Sequence, residues 1–487
     1  MLRFSASVVT TGFALLFAAV VSAQTQSQPQ PTVSVSKIRI VRLSEVRGAV
    51  QLDRSMGHGF GAAIANLPVV EQNRLKTAEG VAEVEFEDNS TLRLGPDSEV
   101  QFVELGRTAA GSTLSTVRVV KGTVYVSLMK TSGKAPVNEF KLVLGDRTIP
   151  LQPDTHVRLV MDDLHAKLAV LSGTVHLDGP DGAIDVPHKK TATFALVNNA
   201  EPEVAKDIET GPLDAWDKQQ DQFHSRVAMA AFGATPYTYG LSDMMYYGTF
   251  ADMGCGSMWR PYFTSAAWDP YTSGAWAYYA GTGYSWVSSY PWGWTPYHYG
   301  SWSFCPGAGW GWMPGGSWMG LNNTIAFNGS GANPVKGGPR LPVAPPNPPR
   351  VGEPSLIMLN QTTVAHSGVG SSGWFVFRRD SAGLGIPRGE LGNLKGLSQL
   401  TVRNGEVRTP VYFNAGGGNA QGALSGLSGR SNALAPVAIH RGSPPPSIGS
   451  GSGFSSGSMG GGTRTTSASF PAATSGPAPA AGGGVHR

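Results

Sequence analysis

Ten of the chain's twelve tryptophans fall between Trp259 and Trp318, and both cysteines, Cys255 and Cys305, lie in the same stretch. The window reads W-R-P-Y, A-W-D-P-Y, G-Y-S-W, P-W-G-W-T-P-Y-H-Y-G-S-W and G-W-G-W-M-P-G. From 252 to 318 the only charged residues are Asp252, Arg260 and Asp269, and Leu, Ile and Val are almost absent. Ordinary cores are built mainly from aliphatic side chains. A segment of this composition has to be held by stacked rings and Gly/Pro turns. Rings left over at its surface would form a recognition face.

Two cysteines permit one intramolecular pairing, Cys255–Cys305, which would close a loop around the densest tryptophans. The alternative is two free buried thiols. A disulfide requires an oxidising compartment, and the first residues address that point. Arg3 precedes an uncharged run from Val8 to Val21, and Val21-Ser22-Ala23 supplies the small residues of a cleavage site. Residues 1–23 are therefore expected to be a signal peptide. The alternative is a retained membrane anchor, although the apolar run is shorter than the ~20 residues a span needs. No later stretch is apolar for long enough to cross a bilayer, so the expected location is periplasmic or secreted, with no transmembrane span after cleavage.

Residues 24–36 are polar and patternless and are expected to be a disordered leader. From 37 to about 200 the character changes. Short runs alternate apolar and polar at period two: Ala82/Val84/Phe86 against Glu83/Glu85/Glu87, then Val124/Val126/Leu128, Phe140/Leu142/Leu144, Val157/Leu159/Met161 and Val175/Leu177. Turn signals separate them, among them Asp88-Asn89, Gly95-Pro96-Asp97, Lys121-Gly122 and Gly145-Asp146. This predicts many short strands, each with one apolar face, closing as a rolled sheet, sandwich or solenoid. The same alternation places Glu83, Glu85 and Glu87 on a solvent face.

Residues 211–232 form the best helical pattern, with Leu213, Trp216, Gln220, Phe223 and Val227 on one side. It would link the β-domain to an aromatic β-hairpin module over 236–320, in which W-R-P-Y at 259–262 and W-T-P-Y at 294–297 suggest a loose duplication. Residues 321–354 predict a Pro-rich linker and 355–413 a small β element. Residues 414–487, rich in Gly, Ser, Ala and Pro, predict a disordered tail. The expected class is mainly β.

Catalytic patterns are missing. The ten histidines form no metal-binding grouping, and His165 and His176, on neighbouring β segments, are the nearest approach to a pair. The acidic run Glu83–Asp88 reads as solvated charge, and the G-x-S-x-G at 453–457 sits in low-complexity sequence where no nucleophile elbow can form. There is no phosphate-binding loop or dinucleotide fingerprint, so no cofactor, metal or catalytic residue is assigned. A net charge of +4 is too small to argue for nucleic acid. The one candidate binding set is Trp286, Trp292, Trp294, Tyr297, Tyr299 and Trp302. Such rings can stack on sugar faces or anchor a protein, or they can stack on one another as a rigid spacer.

Over 40–196 the strand order resembles the periplasmic FecR domain. The resemblance is carried by Val46-Arg47-Gly48-Ala49-Val50, Asn73 to Thr77, Ala82 to Leu94 (A-E-V-E-F-E-D-N-S-T-L-R-L), Val119 to Val124 and Val170-Leu171-Ser172-Gly173-Thr174-Val175. Residues 236–320 are similar to an uncharacterised Trp/Tyr-rich domain that follows FecR domains in exported bacterial proteins. That similarity rests on the string Gly283 to Trp302. The FecR resemblance implies relay of an outer-membrane receptor signal to a sigma factor through a cytoplasmic N-terminal segment, which a leader starting at Met1 would not leave. The expectation is a non-enzymatic exported envelope protein that binds envelope glycan or protein. The alternative is a periplasmic sensor in a FecR-type circuit.

Overall fold

The computed structural model describes residues 38–130, 138–179, 182–196, 201–225, 237–323, 342–350, 353–359, 365–367 and 372–412. The expected leader (1–36) and tail (414–487), the residues of the G-x-S-x-G string and the end of the linker helix lie outside them. No helix among the described residues is long and apolar enough to cross a membrane.

The period-two segments become strands, as the alternation requires. Strands 203–205, 190–195, 165–172, 156–161, 113–127, 91–94, 81–85, 41–47 and 68–69 lie side by side in that order. The 15-residue strand Thr113–Ser127 organises the domain. Its first half pairs in parallel with Asn138–Leu144 and antiparallel with Glu99–Arg107, and its second half pairs with His156–Met161 and Thr91–Leu94. The change of partners occurs at Gly122, which has a positive φ of 96°. A Cβ there would collide with the Ser98 side chain and backbone. The expected turn at Lys121-Gly122 is therefore a bend within one continuous strand, and it rolls the sheet so that its two halves face each other. Val84, Leu92, Val124, Val126 and Leu159 from one half meet Val100, Phe102, Val117, Val119 and Phe140 from the other in a single buried core.

Helix α1 (Asp214–Ser225) buries Trp216, Gln220 and Phe223, the face the spacing predicts. Asp214 accepts from the backbone N–H of Gly211 at 2.7 Å and so closes the first turn. Helix α2 (Leu241–Tyr247) was not legible in the pattern. The aromatic region folds as a four-stranded sheet, Gly248–Asp252, Ser257–Pro261, Gly309–Met313 and Ser301–Cys305, beside a hairpin of Gly274–Tyr279 and Gly283–Ser288. The suggested duplication is not structural. Trp259-Arg260-Pro261 is strand, whereas Thr295–His298 is a single helical turn, α3, with Pro296 at its start.

The segment expected as one small β element divides. Leu356–Leu359 adds a third strand to the hairpin, and 365–367, 372–378 and 406–412 form a separate sheet with helix α4 (Leu394–Asn404) between its last two strands in sequence. Leu384, Ile386, Leu391, Leu394 and Leu397 pack into the aromatic core. The β-domain core likewise continues into the module through Tyr239, Ala277, Tyr279, Val287 and Trp294. The Tyr279 hydroxyl donates to the Pro68 carbonyl at 2.6 Å.

Candidate functional site

The six rings singled out in the sequence come together, but as interior. Trp286, Trp292 and Trp294 are fully buried, Trp302 is 1 % exposed, and Tyr297 and Tyr299 are 4 % and 8 % exposed. Trp292 is at the centre. It stacks on Tyr290 with ring centroids 5.0 Å apart, meets Trp259 edge-on at 4.9 Å, and lies 5.9 Å from Trp302. Trp286 packs against Trp276 across the hairpin at 5.2 Å. Such geometries add about 0.5–1.5 kcal/mol per pair to the burial itself.

Three of the six spend their polar edges internally too, while the buried indole N–H groups of Trp286 and Trp294 have no hydrogen-bond partner among the described residues. The indole N–H of Trp292 donates to the Ala382 carbonyl at 2.7 Å, that of Trp302 to Pro296 at 3.1 Å, and the Tyr297 hydroxyl to Pro270. Burial pushes the Tyr297 phenol well above its ordinary range. His298, which the aromatic string also carries, is 1 % exposed. Burial lowers it to about 4, so it is a neutral ring whose Nδ1 bonds the Trp294 carbonyl at 2.9 Å. In this conformation the rings stack on one another and offer no face to a sugar. The physical reason is the arrival of 381–397 and of the β-domain on the two sides of the module.

The cysteines form the disulfide Cys255–Cys305, with Cα atoms 6.1 Å apart, as the sequence suggested. It ties the turn after strand 248–252 to the end of strand 301–305.

A second cluster was not anticipated. Glu83 and Glu85, expected at a solvent face, are completely buried. The register of the sheet sets Glu83 directly opposite Arg93 and Glu85 directly opposite Arg42. Glu83 accepts from Arg93 Nε at 2.8 Å, Arg388 Nη1 at 2.5 Å and the Ser44 hydroxyl at 2.7 Å, with His224 Nε2 at 2.9 Å. Arg42 reaches Glu85 at 2.9 Å and Asp243 at 2.7 Å, and donates to the Pro291 carbonyl at 2.8 Å. Arg388 holds Asp243 through two bonds of 3.0 Å. Burial alone would raise the Glu83 carboxyl. Its interactions with His224, Arg388 and Arg93 outweigh that and hold Glu83 well below the usual carboxylate range. Glu83 is therefore a fixed anion that cannot serve as a proton donor near neutral pH.

At the edge of this network the chemistry differs. Burial pushes Glu390 up to about 7 despite Arg47 at 3.5 Å, and the Glu45 charge adds to the effect. His156, Asp217 and Asp221 bring their ligand atoms within 4.8 Å of one another. Arg93 already spans both carboxylates at 2.6 and 2.8 Å. A cation there would sit beside a buried guanidinium that already neutralises these carboxylates. His165 and His176 are exposed and each faces a different aspartate, Asp162 and Asp185.

One clue to the cluster was present in the sequence. In the hairpin turned by Asp88-Asn89, E-V-E on one strand meets L-R-L on the next with opposite charges in register. The other contributors, Arg42, Asp243 and Arg388, are separated by up to 346 positions and carry no local signal.

A family model described as FecR protein matches residues 73–176, and one described as a family of unknown function, DUF6600, matches residues 241–332. The chain carries a FecR domain followed by a DUF6600 domain. Strands 41–47 and 190–195 belong to the same sheet as the FecR match, so the folded unit extends past it at both ends. Glu83, Glu85 and Arg93 lie in the FecR match, Asp243 and the six rings in the DUF6600 match, and Arg388 beyond both.

No curated protein matches the chain. Among solved structures, two crystal structures of a proposed anti-sigma factor from Parabacteroides distasonis ATCC 8503 are similar at 14 % identity, with TM-scores of 0.23 and 0.24. Each match covers 29 % of this chain and 62 % or 63 % of the other, so under two thirds of those relatives is spanned.

Proposed function

We propose that this protein is a non-enzymatic component of the bacterial envelope that binds a protein partner through the outer surface of its FecR β-domain. The DUF6600 module acts as a rigid brace. The observation that carries this reading is the buried ion network. It commits the interior carboxylates to guanidinium groups and welds the FecR strands, α2 and the 381–391 segment into one body. The charges with perturbed chemistry are structural, and the aromatic rings are occupied with one another. What remains available is outer surface, where Val160 (41 % exposed) and Leu164 (57 %) stand on the hairpin 156–172. FecR is a bacterial envelope family, and the disulfide fits an exported chain.

Photo-crosslinkers at Val160 and Leu164 in the native envelope test this. We expect discrete protein adducts there and no retention of the purified chain on peptidoglycan. Glycan retention that is lost in Trp286→Ala, with no protein adduct, would replace this reading with the sugar-binding one. The FecR match favours a second reading, a sensor in an envelope signalling circuit with a retained anchor. Mature protein beginning at Gln24 would count against it.

A further inference from the structure

The four-stranded sheet of the DUF6600 module has two unlike faces. Register places Phe250 opposite Trp259, Trp259 opposite Trp312, Trp312 opposite Trp302 and Trp310 opposite Phe304, which gathers the sheet's aromatic rings on one face. Successive side chains point to opposite faces of a strand. The other face therefore carries Met258, Gly311, Met313 and Cys305. The turn Met253–Gly256, closed by the Met253 N–H donating to the Gly256 carbonyl at 3.0 Å, folds over this second face and brings Cys255 onto Cys305.

A small sulfur-rich cluster results, separate from the aromatic core. Met253, Met258 and Cys305 are 8 %, 2 % and 1 % exposed and pack together, with Met313 against them. A Cβ on Gly311 would lie 2.6 Å from the Met253 sulfur and 2.8 Å from the Met258 sulfur. The two thioethers are thus separated by no more than those lengths laid end to end. The whole chain has 13 methionines and two cysteines; three of the former pack with Cys305 here, and the disulfide brings Cys255 to it. Packing alone would be served as well by Leu or Val. The distinguishing chemistry of this set is soft sulfur donation.

We propose that this cluster is a redox-gated site for Cu(I), with Met253, Met258, Cys255 and Cys305 as ligands. Thioethers and thiolates select Cu(I) over hard divalent ions. The gate is thiol–disulfide exchange with a dithiol reductant. Its thiolate attacks Sγ of Cys255, the exposed half of the bond, and the S–S bond breaks with Cys305 leaving as thiolate. The reductant's second thiolate then attacks its own sulfur in the mixed disulfide and expels the Cys255 thiolate, so that the reductant ends as a disulfide. Two thiolates and two thioethers are left around one point, and the metal ion binds without changing its own oxidation state.

The full chain, reduced with dithiothreitol, desalted without oxygen and titrated with Cu(I) against a chromophoric chelator, tests the site. We expect one Cu(I) per chain, held at least tenfold more tightly by reduced than by disulfide-bonded protein. Met253→Leu/Met258→Leu, which nearly conserves volume, should lose at least tenfold in affinity with its thermal midpoint unchanged. X-ray absorption of the loaded chain should show a sulfur-only shell. Equal affinity in the leucine variant, no retention by the reduced chain, or a nitrogen-dominated shell would overturn the proposal.

Discussion

Replacing Arg388 with Met removes the more buried of two side chains, Arg388 and Glu390, that join the far C-terminal part of the described chain to the FecR strands by charge. Three charge-assisted bonds are lost, two of 3.0 Å to Asp243 and one of 2.5 Å to Glu83, together with the donation to the Ser44 carbonyl at 2.8 Å. Breaking a buried ion pair by deleting one partner costs about 3–5 kcal/mol, because the survivor is left charged and unsolvated. Here each survivor keeps another cation: Arg42 stays 2.7 Å from Asp243, and Arg93 stays on Glu83 at 2.8 Å. The lower end applies, about 3 kcal/mol. Urea unfolding should be followed twice, by indole fluorescence, which reports the DUF6600 module, and by hydrogen exchange of the strand Val81–Glu85, which reports the FecR sheet. At about 1–3 kcal/mol per molar urea the midpoint should fall by roughly 1–3 M, equally for both probes. Adding Asp243→Asn to the variant should cost less than it does alone, since the two share one interaction. A midpoint shift under about 0.3 M, or one seen by fluorescence and absent from exchange, would refute the claim that the network couples the two domains.

Three other outcomes follow from the same geometry. Glu390 binds its proton more tightly in the folded state than unfolded, so folding stability should fall as pH rises from about 4.5 to about 7 and then level off. Glu390→Gln should abolish that slope, while Glu83, shifted the opposite way, should make stability fall as pH drops below its ordinary carboxylate range; denaturant midpoints against pH check both. Gly122→Ala forces a left-handed residue at about 1–2 kcal/mol and adds a collision with Ser98, so a loss above about 2 kcal/mol is expected in urea, and a smaller one would show that the long strand bends without needing glycine. Reducing Cys255–Cys305, which spans 50 positions, should cost about 4 kcal/mol; an unfolding midpoint indifferent to reductant would remove the disulfide from the stability of the module.

Much of this was legible from residue order alone because it is local. Period two requires strands whatever surrounds them, so Val124/Val126/Leu128 and Val157/Leu159/Met161 could be placed without knowing their neighbours. The apolar side of α1, the aromatic character of 259–318 and the pairing of the only two cysteines are likewise properties of short windows or of counting. Which side of a polar face meets water is not local. Glu83 and Glu85 alternate like solvated residues, and they are buried because the segment carrying Asp243, 158 positions beyond Glu85, covers them and Arg388, 305 positions beyond Glu83, brings it a cation. Trp292 and Trp294 resemble a binding face until Leu384, Ile386 and the FecR sheet close over them. Composition and period determined that this chain would be β-rich, with a ring-filled, cross-linked module. Tertiary packing alone decided that its charges and rings would be interior, since burial depends on segments distant in sequence and is strong enough to override what local pattern suggests.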